Sequence, residues 1–404
     1  MKNNIRDFLT YSSSQIFMIL TSILISAIWA RYATVEEYGT YGLLVSFVSL
    51  VGVFSFPGLT ISMQLSSANN KNGNLKLAVK KKIQYSLIGS LVLILIATYY
   101  YFIKQNILLS NLLCLVALFY PFYTVNSLWE SWLTGIRKVK KLSFLFIITS
   151  LINLVSITVG LILFKSIILS VLFLFITIAI FNLLVIKLYT LEDKKNTDID
   201  EEILKYGYAY SGAVIISMLV GLDKFIISEY ITLKDVAIYS IAIIFVSKIK
   251  ILFITINKLI APTILKSKNI VSSWNYLKYK LIYINFLFLF VAIVGFIFID
   301  DIIVFIFTSK YEEAGVYAKW LWLVVALTRP VYYLNHILKA QRKLKFSYMI
   351  ESLNSIGKLA LFLLLLPIYN LWGMVYATII INIVVAFIIL MVFFYYYNQE
   401  IKNG

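Results

Sequence analysis

Charge is scarce in this chain. Asp, Glu, Lys and Arg make up 14% of its 404 residues, against 61% apolar or aromatic residues, and the mean hydropathy is +0.90. A soluble globular domain has about 25% charged and 45–50% apolar residues, so that class is excluded. Cysteine is nearly absent: Cys114 stands alone, which excludes a disulfide framework and a cysteine-based metal site. Acidic residues are few as well, 19 against 36 Lys and Arg, for a formal net charge of +17. No G-x-x-x-x-G-K-[ST] phosphate loop occurs in the sequence, so nothing points to ATP. No metal or cofactor is expected.

What fills the chain is apolar runs. A bilayer-spanning helix needs about 20 mostly apolar residues. Read between charge and turn clusters, the runs predict helices over 8–33, 41–66, 83–103, 107–134, 142–164, 166–186, 206–230, 237–265, 281–300, 317–338, 346–366 and 373–397. The first run, with Lys2 and Arg6 before it and Arg31 after it, is long for a signal-peptide core and reads as a retained helix. Trp29, Trp129, Trp132, Trp274, Trp320, Trp322 and Trp372 fall near the predicted ends, where amphipathic rings prefer the headgroup region. This is an all-α integral membrane protein with no room for a large aqueous catalytic domain.

The distribution of the 36 Lys and Arg fixes an orientation. On the side of the N-terminus the connectors carry 24, from Lys2 and Arg6 through the 71–82 lysines to Lys402. The opposite side has four, Lys104, Lys165, Lys234 and Lys310. By the positive-inside rule both termini are cytoplasmic. The basic balance is thus mostly a topology signal, and no nucleic-acid partner is implied.

The chain also repeats itself. Tyr32, Thr34, Tyr41, Phe47, Val48 and Ser49 coincide with Tyr230, Thr232, Tyr239, Phe245, Val246 and Ser247 at a constant offset of 198. Ala117, Leu118, Pro121, Tyr123 and Asn126 coincide with Ala326, Leu327, Pro330, Tyr332 and Asn335 at an offset of 209. The expected organisation is a six-helix lobe over 1–190, a cytoplasmic linker over 191–205 and a second six-helix lobe over 206–404. Two lobes of even span number share an orientation, related by a pseudo-two-fold along the membrane normal, as in parallel-repeat transporters. Asp198-Ile199-Asp200 in the linker has the look of a metal-binding D-x-D, but with no nucleotide-binding domain around it the run reads as a solvated connector.

Eight basic residues remain within spans or at their ends: Arg31, Lys224, Lys248, Lys250, Lys258, Lys319, Arg329 and Lys358. Glu130, Asp223 and Glu351 are the clearest acidic counterparts and the candidates for H+ or Na+ coupling. A mid-membrane Lys or Arg costs roughly 2.5–3.5 kcal/mol on insertion scales, so such groups face a wet cavity or a partner. Arg31, Lys258 and Lys319 lie near helix ends and can snorkel. Lys224, Lys248, Lys250, Arg329 and Lys358 form the expected anion site. Asn257 shares a helical face with Lys250, and Tyr333 and His336 share one with Arg329. These three, with Gln15, Ser22 and Ser26 on the first helix, are the expected cavity lining. For the uncharged stripe of the first helix, helix–helix packing is an equal reading. Surplus positive charge favours an anionic cargo, with phosphate or diphosphate the best match.

The segments A-R-Y-A-T-V-E-E-Y-G-T-Y-G (30–42), P-G-L-T-I-S-M-Q-L-S-S-A (57–68), L-D-K-F-I-I-S-E-Y (222–230), D-V-A-I-Y-S (235–240) and Ala261-Pro262, in this order, resemble the Wzx-type polysaccharide flippases. Those belong to a superfamily with lipid II flippases and multidrug and toxin extrusion (MATE) transporters. The resemblance implies a MATE-like fold with a central cationic cavity. The implied cargo is a polyprenyl-diphosphate-linked oligosaccharide, moved from the cytoplasmic to the outer leaflet of a bacterial inner membrane by alternating access. Lys224 follows Asp223 where that family often has an Asp-Arg pair. Implied partners are membrane lipids, a polysaccharide polymerase and a chain-length regulator, with O-antigen or capsule as the product. Competing readings are a lipid II or teichoic-acid precursor flippase, a membrane polymerase or ligase, and a MATE-type cation exporter.

Overall fold

Apolar segments in lipid find no water for their amide groups, so they must close their hydrogen bonds within each segment, as helices. A computed structural model describes residues 2–71, 73–192, 200–266, 269–341 and 344–403. Lys194, Lys195, Asp198, Lys268, Arg342 and Lys343 of the sequence reading lie outside the described residues, as do the side chains of Lys2, Arg6, Lys258, Ala261, Pro262 and Lys266. Among the described residues there is no strand. The helices in chain order are α1 (Lys2–Tyr32), α2 (Val35–Val51), α3 (Gly58–Ala68), α4 (Leu75–Phe102), α5 (Ile107–Tyr123), α6 (Asn126–Gly135), α7 (Val139–Thr158) and α8 (Ile167–Glu192). They continue as α9 (Ile203–Met218), α10 (Asp223–Tyr230), α11 (Leu233–Lys266), α12 (Ile270–Phe307), α13 (Glu312–Thr328), α14 (Tyr332–Ala340), α15 (Leu344–Ser352), α16 (Lys358–Tyr369) and α17 (Leu371–Asn403).

Each of the twelve expected ranges is mostly helical. Among the described residues nine stretches are long and apolar enough to cross a bilayer, and the pair Ile203–Gly212 and Val214–Tyr230, bent by 44°, makes a tenth. Several boundaries move. The third span starts at Leu75 instead of 83 and the ninth runs over Ile270–Phe307 instead of 281–300. At 38 residues α12 is about 57 Å long at roughly 1.5 Å per residue, beyond the ~30 Å hydrocarbon core. Hydropathy marks the part in lipid and is blind to a helix that continues into water. The second span is not one helix. It breaks at Phe56, whose φ is 55°, because Pro57 disfavours the α conformation in the residue before it.

The repeat has a physical content. Thr34 caps α2 by accepting from the Glu37 amide at 3.2 Å while the Glu37 carboxylate accepts from the Thr34 amide at 2.7 Å, a capping box. Its counterpart Thr232 accepts from the Asp235 amide at 3.2 Å at the head of α11. Pro121 and Pro330 likewise mark matched interruptions, between α5 and α6 and between α13 and α14. A π-turn interrupts the fifth span at Val159–Leu163 and the eleventh at Leu353–Gly357.

The chain divides into two units, Met1–Gly221 and Leu222–Gly404. The sequence expectation set the joint within the 191–205 linker; α9 instead belongs with the first unit because it packs on α3. Ser62 Oγ donates to the Ile203 carbonyl at 2.6 Å and the Gly58 amide to Ser211 Oγ at 3.1 Å. A Cβ on Gly58 would overlap the Gly207 carbonyl, so this approach requires glycine. Asp200 of the D-x-D run sits 3.7 Å from Lys71 Nζ and forms part of this connector. Polarity marks a linker, whereas a unit boundary follows contacts.

The first unit's core gathers Phe56, Leu59, Met63, Trp129, Trp132 and Leu142. Trp29 and Trp129 are fully buried and Trp132 nearly so, so three of the seven tryptophans are packing residues instead of interface anchors. Position along a helix gives depth in the membrane, but rotation about the axis decides what a ring touches. Trp129 Nε1 donates to Asn182 Oδ1 at 3.1 Å, and Asn182 Nδ2 donates to the carbonyls of Phe122 and Tyr123 at 3.1 and 3.2 Å. These carbonyls lose their helical partners where α5 stops, and Asn182 supplies the replacement.

Candidate functional site

In the second unit, four charged side chains from four different segments act on one another. Lys250 on α11 feels the charges of Lys358, Arg329 and Asp223, and Lys358 feels those of Asp223 and Arg329. Three of the four stand at helix breaks. Asp223 opens α10 after the 3-10 turn Leu219–Leu222. Arg329 opens the 3-10 turn Arg329–Val331, and Lys358 follows the π-turn Leu353–Gly357. Interrupted helices inside a membrane occur where the backbone faces protein or a watery cavity, and they are where transporters build sites. Lys250 sits in unbroken helix with its side chain accessible, although protein packs closely around it.

Arg329 is half-buried, its guanidinium lies 4.7 Å from the Tyr332 ring centroid, and its Nε has no hydrogen-bond partner. Lys358 Nζ lies 5.0 Å from the Phe362 ring. Asp223 is the one carboxylate that both lysines feel. It also accepts from the Lys224 amide at 2.7 Å and lies in hydrogen-bonding reach of the buried Tyr239 hydroxyl. Glu351 acts on Arg329 as well but is paired with Lys339, so Lys250, Arg329 and Lys358 with Asp223 keep a surplus of two positive charges. Such a group with free donors suits a multiply charged oxyanion such as a diphosphate.

The remaining expected site residues separate into those near this cluster and those elsewhere. Tyr333 donates to the Phe253 carbonyl at 3.3 Å and His336 stacks on the Phe253 ring at 5.7 Å. Phe253 also meets Tyr332 at 6.4 Å, so Tyr333 and His336 join the cluster through an aromatic bridge. Asn257 Oδ1 is buried without a partner, one turn beyond Phe253. Lys224 neighbours Asp223, whose charge acts on it. Lys248 is two residues from Lys250, roughly 200° around the helix, so the two leave α11 on different faces. Glu351 is bound to Lys339 at 3.0 Å. Lys319 pairs with Asp300.

Gln15, Ser22, Ser26 and Glu130 lie in the first unit. Ser22 and Ser26 donate to the Ile19 and Ser22 carbonyls at 2.7 and 3.0 Å, and Gln15 reaches Met18 Sδ at 3.8 Å. These three bonds stay within α1. Glu130 on α6 is half-buried, with its charge acting on Tyr123.

One residue was assigned to the wrong class by the sequence. Lys82 was counted among connector lysines, yet it is 3% exposed inside α4. It lines a cavity of about 560 Å³ in the first unit with Ser55, Thr60, Tyr120, Tyr123 and Asn126. The signal that could have found it is helical phase: Ala78, Lys82, Ser86, Gly89 and Leu93 make one buried stripe along α4.

Residues 28–316 match the family described as "Polysaccharide biosynthesis protein" (Polysacc_synt_3). The chain belongs to this family. Among solved structures it is similar to the lipid II flippase MurJ in an inward closed conformation, with a TM-score of 0.70, 17% identity, and coverage of 95% of this chain and 87% of that one. It is also similar to a multidrug resistance MATE transporter of the MOP superfamily in an inward-facing conformation, with a TM-score of 0.76, 12% identity, and coverage of 97% and 99%. An outward-facing MATE structure matches with a TM-score of 0.65 at 12% identity, over 99% and 96%. No curated protein sequence matches the chain. This member of the polysaccharide biosynthesis family is therefore a multi-pass membrane protein with the fold shared by MATE transporters and MurJ.

Proposed function

We propose that the chain is a flippase that carries a polyprenyl-diphosphate-linked oligosaccharide from the cytoplasmic to the outer leaflet of a bacterial plasma membrane, with both termini cytoplasmic. The observation that carries this reading is the group of Lys250, Arg329 and Lys358, in which Asp223 acts on the two lysines and Glu351 on Arg329. Lysines supply point charge to a diphosphate and Arg329 a two-pronged donor. Lys224, beside Asp223, is the outer member of the proposed anion site, and Lys248, on another face of α11, is left out of it. Pro330, next to Arg329, lines two apolar grooves of about 390 and 360 Å³ on the second unit, so apolar surface for a prenyl chain adjoins the charged group.

Alternating access moves the bound headgroup while the prenyl tail stays in lipid. The energy comes from an H+ or Na+ gradient, with Asp223, Glu130 and Glu351 as candidate carriers, or from the cargo's own gradient. A polymerase and a chain-length regulator would consume the product, an O-antigen or capsule repeat unit. A lipid II precursor is the alternative cargo of the same chemistry. Export of organic cations fits poorly, because a surplus of positive charge repels them.

The test is reconstitution into liposomes with a fluorescent polyprenyl-diphosphate N-acetylglucosamine and quenching of one leaflet. Protein-dependent translocation, lost in Lys250→Gln and Arg329→Gln, is expected. Absence of translocation, or transport of cationic dyes improved by the same substitutions, would defeat the reading.

A further inference from the structure

The first unit holds a second charged feature, independent of the cluster in the second unit. Lys82 is buried, and among the described residues its ammonium has no hydrogen bond, no ion pair and no other charge acting on it. Its neighbours across the cavity are hydroxyls and phenol rings. Thr124 Oγ1 exchanges a bond with Ser86 Oγ at 2.8 Å, and Ser127 Oγ donates to the Thr124 carbonyl at 3.0 Å. The buried Tyr120 hydroxyl, beside Ser55, is left without a formed hydrogen bond. Val45, Val48 and Met218 close the apolar part of the wall. At about 560 Å³ the cavity lies within the roughly 300–1,000 Å³ typical of small-molecule sites.

An ammonium taken out of water and left unpaired is costly, and such groups are kept where a partner arrives from outside. The shape of the demand is specific. One cation, not three, calls for a single negative charge, whereas a diphosphate is better served by Lys250, Arg329 and Lys358. Phenol faces and hydroxyls suit the apolar faces and hydroxyl edges of a sugar ring. We propose that this cavity receives a sugar of the cargo that bears a carboxylate, with Lys82 as its counter-ion, so that the transported glycan is acidic, of the uronate type. This inference rests on the flippase reading for its cargo but not for its site.

The test uses purified full-length protein with three soluble probes: methyl glucuronide, methyl glucoside and inorganic pyrophosphate. Binding is followed by intrinsic fluorescence and by calorimetry. Wild type should bind the glucuronide about tenfold or more tighter than the glucoside. Lys82→Met should erase that preference, and Lys82→Arg should restore it. In liposomes, wild type should flip a glucuronate-ended polyprenyl-diphosphate disaccharide faster than its neutral analogue, and Lys82→Met should slow only the acidic one.

Equal affinity of wild type for the two glycosides overturns the proposal. So does pyrophosphate binding that Lys82→Met removes, or equal slowing of both lipids, since either assigns Lys82 to the diphosphate or to the fold. If neither lipid flips while glucuronide binding persists and depends on Lys82, the flippase reading falls and the acidic-sugar site stands. Should Lys82→Met fail to fold, the wild-type preference and the behaviour of Lys82→Arg still decide.

Discussion

Replacing Arg329 with methionine should stabilise the protein and disable it. The guanidinium is half-buried at a helix break, with an unpaired Nε and one ring contact at 4.7 Å. Loss of the cation–π contact with Tyr332 costs about 0.5–2 kcal/mol. Removing an under-satisfied cation from mid-membrane recovers roughly 2.5–3.5 kcal/mol on insertion scales. The balance favours the variant by about 0.5–3 kcal/mol, less whatever water around the guanidinium already relieves. Transport should move the other way. Two charge-assisted bonds to a diphosphate contribute about 1.5–3 kcal/mol each, so their loss slows flipping by about 100-fold or more at roughly 1.4 kcal/mol per tenfold. Arg329→Lys should fall between, keeping charge without the planar fork. Thermal unfolding in detergent and leaflet-specific quenching in liposomes give the two readings. A variant that unfolds at lower temperature while flipping at the wild-type rate would show that the guanidinium holds the fold together and touches no cargo.

Asp223→Asn should destabilise by about 1–3 kcal/mol, below the ~3–5 kcal/mol of a fully buried broken pair, and adding Lys358→Met should recover most of it. Strict additivity of the two changes in a double-mutant cycle would refute the shared-charge geometry. Asn182→Leu should cost about 2–4 kcal/mol in unfolding free energy, because Trp129 Nε1 and two carbonyls at the end of α5 lose their partner. Gly295→Leu should impair folding or expression, since any Cβ there meets the Trp322 indole, which is held by its bond to the Val291 carbonyl at 2.8 Å. Glu351→Gln should change stability by less than about 1 kcal/mol, as expected of an exposed pair. Loss of an ion-gradient dependence in that variant but not in Asp223→Asn would single out Glu351 among the coupling candidates.

Part of this architecture is written in the sequence and part is not. The positions of the apolar helices are legible because the transfer of a segment into lipid is a property of that segment alone. Thr34 and Thr232 announce the matched helix starts, and Pro121 and Pro330 the matched breaks, because caps and proline act on the backbone within a few residues. The surplus of cations in the second half was countable.

Which cations meet was decided by tertiary structure. Lys248 and Lys250 are equivalent to a hydropathy count, yet helical rotation sends them to different faces. Lys82 belongs to a run of connector lysines until α4 starts early and turns it inward. Trp29 and Trp129 sit at depths that suit the interface, and packing buries them. Each of these outcomes depends on how one helix is turned against another, which involves residues far apart in the chain. The group of Asp223, Lys250, Arg329 and Lys358 therefore exists only once their four segments are packed.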